Sequence, residues 1–239
     1  MLELDVGNTR MKWRFIGAQG QDDLAGVVLG RSLSLDFLPE QLTPQRVRIS
    51  CVRDHEYQVQ LSAAVESRWS VVPEFAETKV NHAGLVVAYA EPKRLGVDRW
   101  LAMLAAQELA SGRFCVVDAG SALTVDFVAS TGRHLGGYIV PGLALQKKSL
   151  LENTAIRIPE FSMQAQLCPG SSTESAIHNG ILGMTVAWIV EECRERLEGG
   201  QLYLTGGDAP VIAAHLQNKA ISCSLVPELV MDGLRLALP

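Results

Sequence analysis

Two short segments of this chain repeat one pattern of residues that can bind phosphate. Residues 4–9 read LDVGNT and residues 117–122 read VDAGSA, so an Asp-x-Gly turn closes an apolar run twice. The two aspartates, Asp5 and Asp118, stand 118 − 5 = 113 residues apart, close to half of the 239-residue chain. Each copy leads back into an apolar segment, a pattern that predicts strand, acidic turn and strand. The repeat therefore predicts two related half-molecules that face each other across a cleft.

The residue types in each copy suit the phosphate chain of a magnesium nucleotide. An aspartate at a strand end can hold a cation or its water shell, and the glycine two residues later lets a ligand approach the backbone closely. The following residues offer N–H groups and short hydroxyl or amide side chains to phosphate oxygens. In the first copy Lys12, three residues after Thr9, adds a positive charge. One Asp-x-Gly after a strand is usually only a turn; the second copy with matching flanks favours a function.

The composition limits the class of protein. At 239 residues, 48% hydrophobic and 20% charged, the chain can form one large or two small domains with a sizeable core. Its net charge of −5, with no cluster of Lys and Arg, argues against a nucleic-acid partner. Arg46, Arg48 and Arg53 come nearest to such a cluster, and we interpret them as solvated charges beside an apolar strand. No apolar run of about 18 residues predicts a membrane span.

The cysteines and the start of the chain predict a cytoplasmic protein. The first residues enter a strand at once, without the basic and apolar regions of a signal peptide. Five cysteines are scattered without a C-x-x-C, so we expect free thiols in a reducing compartment. Five dispersed histidines show no zinc-ligand spacing, and we expect no zinc site.

The hydrophobic periodicity predicts alternating strands and helices in both halves. In the first half we expect strands near 2–6, 12–16, 26–29 and 47–52, and helices near 55–68 and 98–111. In the second half we expect strands near 114–118, 123–129, 133–140 and 201–205, and helices near 174–197, 209–217 and 228–237. Ser171 and Glu174 resemble a capping box for the long helix. This order predicts a mixed sheet with helices on its faces in each half, and the boundary falls near residue 112.

Six motifs in this order resemble those of the bacterial type III pantothenate kinases, members of the actin-like ATPase superfamily. The first phosphate motif, D-x-G-N-T-x-x-K, is matched by residues 5–12 (DVGNTRMK), and the substrate motif G-x-D-R by residues 96–99 (GVDR). Residues 118–124 (DAGSALT) match the second phosphate motif, and residues 136–142 (GGYIVPG) match a glycine-rich loop. Residues 173–180 (TESAIHNG) match a helix-start motif, and residues 204–207 (LTGG) match the adenosine side. Ser121 stands where the family usually has threonine, which keeps the hydroxyl and loses the methyl group.

The resemblance implies an α/β fold of two similar ribonuclease-H-like (actin-like ATPase) domains, each with a mixed five-stranded sheet, and an interdomain cleft. Residues 1–112 would form the N-terminal half with the first phosphate motif and the substrate motif. Residues 113–239 would form the C-terminal half with the second phosphate motif and the adenosine side.

The resemblance also implies a reaction: transfer of the ATP γ-phosphoryl group to the primary hydroxyl of pantothenate, the first step of coenzyme A biosynthesis. Asp98 would be the general base, Arg99 would bind the pantothenate carboxylate, and Asp118 would hold potassium or ammonium. The residues implied in binding ATP with Mg²⁺ are Asp5, Val6, Gly7, Asn8, Thr9, Arg10, Met11, Lys12 and Ser121. Those implied in binding pantothenate are Tyr89, Gly96, Val97, Asp98, Arg99 and Thr173.

A homodimer is expected on two grounds. In this family the residue corresponding to Thr173 contacts pantothenate across a dimer interface. The helix near 174–197 is also apolar over a broad surface, which indicates burial on a second side.

Two alternatives stay open. Another small-molecule kinase of the same superfamily, or a polyphosphate phosphatase, would use the same doubled phosphate hairpin, because fold does not fix function; the GVDR motif and the short chain favour pantothenate. A nucleotide-binding accessory or regulatory protein would not need catalysis. The presence of Asp5, Lys12, Asp98, Arg99 and Asp118 argues against such a degenerate member.

Overall fold

The computed structural model describes residues 1–17, 23–30, 33–158 and 165–239. They form two compact units: the first contains residues 1–108 and 228–239, and the second contains residues 109–227. The elements in chain order are β1 (Leu2–Val6), β2 (Arg10–Phe15), β3 (Leu24–Leu29), β4 (Val47–Cys51), α1 (His55–Trp69), β5 (Glu74–Phe75), β6 (Asn81–His82), β7 (Leu85–Val86), a 3₁₀ turn (Pro92–Arg94), α2 (Val97–Leu109), β8 (Phe114–Ala119), β9 (Ala122–Val128), β10 (His134–Pro141), α3 (Leu143–Glu152), α4 (Thr173–Arg196), β11 (Gln201–Thr205), α5 (Ala209–Gln217), β12 (Ser224–Leu225) and α6 (Leu229–Ala237).

The first unit has a five-stranded sheet in the order β3-β2-β1-β4-β5. The β1–β2 and β2–β3 pairs are antiparallel, whereas β1–β4 and β4–β5 are parallel. Because side chains alternate along a strand, β1 directs Leu2, Leu4 and Val6 into a core shared with β2, β4 and α1. The opposite face of β1 carries Glu3 and Asp5.

The second unit repeats this plan with the order β10-β9-β8-β11-β12. Its first three strands are again antiparallel neighbours, and β8–β11 and β11–β12 are again parallel. Its core lies between the sheet and helices α4 and α5. Two mixed five-stranded sheets of one topology confirm the prediction of two similar ribonuclease-H-like domains.

The last helix, α6, belongs to the first unit, whereas the sequence placed residues 228–239 in the second half. It packs on β1 and β4. A Cβ atom at Gly233 would lie 2.0 Å from the Leu101 carbonyl oxygen, so α6 also lies directly on α2. Arg14 on β2 binds Asp232 at 2.9 Å (Nη1–Oδ1). The first sheet thus needs the end of the chain to cover its second face.

Several elements differ from those the sequence predicted. Helix α3 was not predicted, because none of its side chains is buried and its apolar periodicity is correspondingly weak. The two-residue strands β5, β6, β7 and β12 are too short to leave a pattern. The capping box of α4 uses Ser172 and Ser175 rather than Ser171 and Glu174, with the Ser175 N–H donating to Ser172 Oγ at 3.2 Å. In the part of the chain described here, no helix has the length and apolar character needed to cross a membrane.

Candidate active site

The first phosphate hairpin places an acid and a base side by side at the end of β1. Asp5 lies directly opposite Lys12 on β2 and beside Ser50 on β4. Directly opposed residues have Cβ atoms about 4.5–5.5 Å apart on one face of the sheet, so the carboxylate and the ammonium share a surface. Ser50 Oγ donates to Asp5 Oδ1 at 3.0 Å and orients the carboxylate.

The turn of this hairpin is exposed at its tip. The Gly7 N–H donates to the Arg10 carbonyl at 3.0 Å, and Asn8 and Thr9 are exposed. The Thr9 carbonyl accepts from the Gly30 N–H at 2.9 Å, which ties the tip to the end of β3. The tip therefore presents its remaining backbone groups to a ligand.

Val6 and Met11 sit differently from the other residues predicted to bind ATP. Their side chains are buried in the core, only 2% and 5% exposed, on the face opposite Asp5 and Lys12. Only their backbone atoms remain for ATP. Strand alternation, already visible in the sequence, is the signal that separates them from Asp5 and Lys12.

Arg53 holds the turn, a role that its interpretation as a solvated charge beside the strand did not include. Its Nε donates to the Gly7 carbonyl at 2.9 Å and its Nη2 to the Asn8 carbonyl at 2.6 Å. Sequence reasoning missed this residue. The available signal is its position just after β4, since parallel neighbours end at the same sheet edge.

A buried charge network lies behind Asp5. Glu3, fully buried, binds Arg14 at 2.7 Å (Nη2–Oε2) and Arg48 at 3.4 Å (Nη1–Oε1). Burial lowers the pKa of Arg48, reinforced by the charge of Arg46 and opposed by Glu3. Burial alone would lower the pKa of Arg14 too, but hydrogen bonds to Asp232 and Glu3 raise it. Arg48, 5% exposed, was therefore wrongly interpreted as solvated.

The substrate motif forms the start of α2, one residue earlier than predicted. Asp98 lies in the first turn, and its Oδ1 accepts from the Arg99 N–H at 2.8 Å. A Cβ atom at residue 96 would lie 2.6 Å from this Oδ1. Because a side chain there would collide with the carboxylate, glycine at 96 lets Asp98 take this position. The glycine and the aspartate of the G-x-D-R motif are therefore linked by a steric requirement.

Arg99 and Tyr89, predicted to share the substrate site, are in contact. Arg99 Nη1 donates to the Tyr89 hydroxyl at 3.1 Å, and the guanidinium carbon is 5.9 Å from the ring centroid. Arg99 is only 5% exposed. A buried cation held by a phenol is a fixed anchor for a carboxylate.

The second hairpin is shorter than the first by one residue. Asp118 pairs with Thr124 on β9 and with Thr205 on β11, and the Gly120 N–H donates to the Ala122 carbonyl at 3.0 Å. The structural counterpart of Lys12 is therefore Thr124, since each lies opposite the motif aspartate. Of the two hairpins, only the first has an ammonium at this position.

Two motifs distant in sequence pack on the second hairpin. The Gly142 N–H donates to the Ser121 carbonyl at 3.1 Å, and a Cβ at Gly142 would lie 2.1 Å from the Gly120 carbonyl oxygen. Gly206, with φ +92°, approaches so closely that a Cβ would lie 2.5 Å from Asp118 Oδ1. Glycine is therefore required at positions 142 and 206, where the P-G and L-T-G-G segments pack against the turn that follows Asp118.

The other glycines of the GGYIVPG segment do not form a loop. Gly136 and Gly137 lie within β10 at a bulge, where Gly136 has φ +104°. The expectation that these two glycines and Gly142 shape one loop is wrong for Gly136 and Gly137, because hydrogen bonds to β9 continue through them.

A cavity of 580 Å³ opens in the second unit beside the L-T-G-G segment. It lies between α3, α4 and α5 and is lined mainly by apolar side chains. The lining includes Leu143, Ile181, Pro210 and Val211, with Lys147, His178 and His215 among its polar members. His178 Nδ1 is buried and has no hydrogen-bond partner in the described parts of the chain. Sequence reasoning missed this cavity because it missed α3.

The predicted substrate residue Thr173 and the possibility of a metal-ligand cluster complete the description of the site. Thr173 is exposed as the first residue of α4. No cluster of three or more His, Cys, Asp or Glu side chains able to hold a metal occurs within residues 1–17, 23–30, 33–158 and 165–239.

Comparison with known proteins places these features in a family. The model of the type III pantothenate kinase family matches residues 1–195, which contain both hairpins, the GVDR segment and most of α4. This chain belongs to the type III pantothenate kinase family. Among its relatives, the type III pantothenate kinase of Marinobacter nauticus is 36% identical over 236 residues, covering 98% of this chain and 96% of the relative. That of Pseudomonas aeruginosa strain PAO1 is 37% identical over 253 residues and covers 100% and 99%.

A solved structure shows the same fold. A Campylobacter jejuni protein named for the Baf family of transcriptional activators aligns with a TM-score of 0.63 at 21% identity, covering 98% of this chain and 96% of that chain. At this identity the likeness concerns the fold alone. The type III pantothenate kinase family thus accounts for the whole length of the chain, including the L-T-G-G segment beyond the matched family model.

Proposed function

We propose that this protein transfers the γ-phosphoryl group of ATP to the primary hydroxyl of pantothenate, the first step of coenzyme A biosynthesis. Membership of the type III pantothenate kinase family supports this reaction. The observation that carries it is the cluster at the start of α2, where Asp98, Arg99 and Tyr89 meet. A carboxylate beside an anchored guanidinium suits an acceptor with both a hydroxyl and a carboxylate, as pantothenate has.

Asp98 is the general base in this proposal. Its carboxylate accepts the proton of the pantothenate hydroxyl as the oxygen attacks the γ-phosphorus and the bond to the ADP oxygen breaks. The hydrogen bond from the Arg99 N–H to Oδ1 orients the carboxylate for this transfer. Arg99, held by Tyr89, binds the pantothenate carboxylate and so positions the substrate relative to Asp98.

The two hairpins bind the phosphates of ATP. The first offers Lys12 and the N–H groups of its exposed tip, and Asp5 would hold the water shell of Mg²⁺. The second offers the hydroxyl of Ser121 and the backbone of its turn. Bound Mg²⁺ would neutralise charge on the phosphate oxygens, and Lys12 would orient the triphosphate through its positive charge.

The 580 Å³ cavity of the second unit is our candidate for the adenosine pocket. Its volume and apolar lining suit a planar base. Pro210 and Val211 follow directly after the L-T-G-G segment. Lys147, His178 and His215 of the lining offer polar groups to the base.

A monovalent cation binds at Asp118 in this proposal. One carboxylate beside Thr124, Thr205 and the carbonyls of the turn is an oxygen environment of low charge. Such a site suits potassium or ammonium better than a divalent ion, which favours several carboxylates. The cation would screen the negative charge of the triphosphate.

We also propose a homodimer in which Thr173 contacts the pantothenate bound by the partner. Thr173 is exposed at the start of α4, and the same helix exposes Met184 (61%) and Ala187. These residues leave an apolar strip that a symmetric partner would cover.

We further propose a cytoplasmic location. All five cysteines are free, which is consistent with a reducing compartment.

A coupled assay of ADP release tests the function. Purified protein with ATP, Mg²⁺ and pantothenate should turn over, and mass spectrometry should show 4'-phosphopantothenate. Turnover with a sugar or acetate, and none with pantothenate, would instead indicate another kinase of the superfamily. Nucleotide binding without transfer to any acceptor would indicate an accessory or regulatory protein.

A further inference from the structure

We propose that Arg53 is a positioning residue for the triphosphate: it binds the carbonyls of the first hairpin and so turns the N–H groups of that hairpin toward ATP. This inference rests on the proposed function. It assigns a role to a side chain that none of the six motifs contains. Arg53 reaches the hairpin because β4 runs parallel to β1 and ends at the same edge, where the Val52 N–H donates to the Val6 carbonyl at 3.2 Å.

The guanidinium binds two successive carbonyls of the turn. Nε donates to the Gly7 oxygen at 2.9 Å and Nη2 to the Asn8 oxygen at 2.6 Å. In a planar trans peptide, the carbonyl of one residue and the N–H of the next point in opposite directions. Fixing these two carbonyls therefore fixes the N–H groups of Asn8 and Thr9 on the side away from Arg53.

Those N–H groups are the donors that a phosphate-binding turn needs. A run of backbone N–H groups that point to one side forms an anion-binding concavity. A turn that contains glycine can rotate its peptide planes at low cost. Without a restraint on the carbonyls, part of the population would present oxygen instead of N–H to the phosphates. Arg53 supplies the restraint before ATP arrives.

Arg53 is itself held in place. Its guanidinium carbon lies 5.3 Å from the ring centroid of Tyr57. Its own carbonyl accepts from Gln58 Nε2 at 3.2 Å. Both partners lie on α1, whose N-cap Asp54 accepts from the Tyr57 N–H at 2.9 Å. The capped end of a helix thus supports the arginine, and the arginine supports the turn.

Arginine suits this task better than lysine. A planar guanidinium reaches two acceptors in fixed directions, whereas an ammonium on a flexible stem satisfies them one at a time. The expected order of ATP affinity is therefore wild type, then Arg53→Lys, then Arg53→Met. A purely electrostatic role would leave the lysine variant equal to the wild type.

The chain offers a matched control in Arg68. Its guanidinium also donates to loop carbonyls, including that of Leu38 at 3.0 Å, and it lies 4.9 Å from the ring centroid of Trp69. It belongs to the same unit and lies in the last turn of α1, whereas Arg53 lies just before the first turn of that helix. It holds the segment around residues 35–39 instead of the phosphate turn. Arg68→Met removes equivalent contacts without touching the first hairpin.

The experiment measures initial rates and titrates a fluorescent ATP analogue with Arg53→Met, Arg53→Lys, Arg68→Met and the wild type. We expect Arg53→Met to raise the KM for ATP and the Kd of the analogue about tenfold, the scale of one charged hydrogen bond. Arg53→Lys should lie between, and the KM for pantothenate should change less than twofold. Arg68→Met should match Arg53→Met in Tm and the wild type in both ATP constants.

An analogue Kd for Arg53→Met within twofold of the wild type would overturn the inference. An equal rise in Arg68→Met would overturn it too, because the effect would then be general destabilisation. Absence of pantothenate phosphorylation by the wild type would refute the proposed function alone. The analogue titration would still decide the role of Arg53.

Discussion

Gly96→Ala should disable the enzyme without unfolding it. The added Cβ would lie 2.6 Å from Asp98 Oδ1, and ordinary contact begins at 3.4 Å, so the carboxylate must move by about 0.8 Å. The backbone itself accepts alanine, because Gly96 is not among the glycines with positive φ. The clash falls on the end of a movable side chain, so it costs little stability.

The expected loss of activity in Gly96→Ala is large, whereas the expected loss of stability is small. Displacement of a reacting group by about 1 Å can cost about 10²-fold in rate, so kcat should fall by about this factor. The KM for pantothenate should change little, since Arg99 still anchors the carboxylate. Alanine restricts the unfolded chain and so raises the free energy of unfolding by about 0.4–1 kcal/mol. Loss of the hydrogen bond from the Arg99 N–H offsets this gain. We therefore expect a Tm within a few degrees of the wild type.

Steady-state kinetics and thermal melts of Gly96→Ala and Gly112→Ala test this reasoning. No atom lies within 4 Å of a Cβ at Gly112, which makes it the matched control with wild-type kcat. Turnover of Gly96→Ala within threefold of the wild type would refute the idea that the glycine positions Asp98 for catalysis. A collapse of its Tm would refute the claim that the clash is local.

Three further substitutions test the remaining assignments, and a fourth tests a surface ion pair. Asp98→Asn should lower kcat by about 10²–10⁴-fold with an unchanged circular dichroism spectrum, and near-normal turnover would exclude it as the base. Asp118→Ala should weaken activation by potassium or ammonium, and equal wild-type rates in sodium, potassium and ammonium would contradict a cation site there. Thr173→Val should raise the KM for pantothenate far more than that for ATP, and light scattering should give about twice 25.9 kDa; a fully active monomer would defeat the shared site. The hydrogen bond from Arg46 lowers the pKa of Glu74 from its usual 4.5, so Glu74→Gln should lower Tm at pH 7, and this difference should shrink as the pH falls below about 4.5; a difference that does not change with pH would contradict it.

Local pattern was sufficient for much of the fold. The pattern of apolar residues predicted the strands β1, β2, β3, β4, β8, β9, β10 and β11 and the helices α1, α2, α4, α5 and α6. Most of these elements bury one or both faces, and this burial leaves an apolar pattern in the sequence. Helix α3 has no fully buried side chain and left only a weak pattern. The cavity beside it was therefore invisible to sequence reasoning.

Some details needed the register of the strands. Both hairpins begin with the same Asp-x-Gly, yet the second is one residue shorter, so Thr124 and not a later residue is the counterpart of Lys12. The sequence alone aligns the aspartates but cannot count the residues in the turn. Hydrogen-bond pairing across the strands settles that count.

The sequence by itself determined the family, the doubled phosphate hairpin and the motif glycines, because these depend on residue type and short spacing. Only the tertiary structure placed α6 on the first sheet, made Gly206 a neighbour of Asp118, and placed Arg53 on the carbonyls of Gly7 and Asn8. Such contacts join residues far apart along the chain. They follow from which strands are parallel and where each one ends, and no local pattern of residues encodes that.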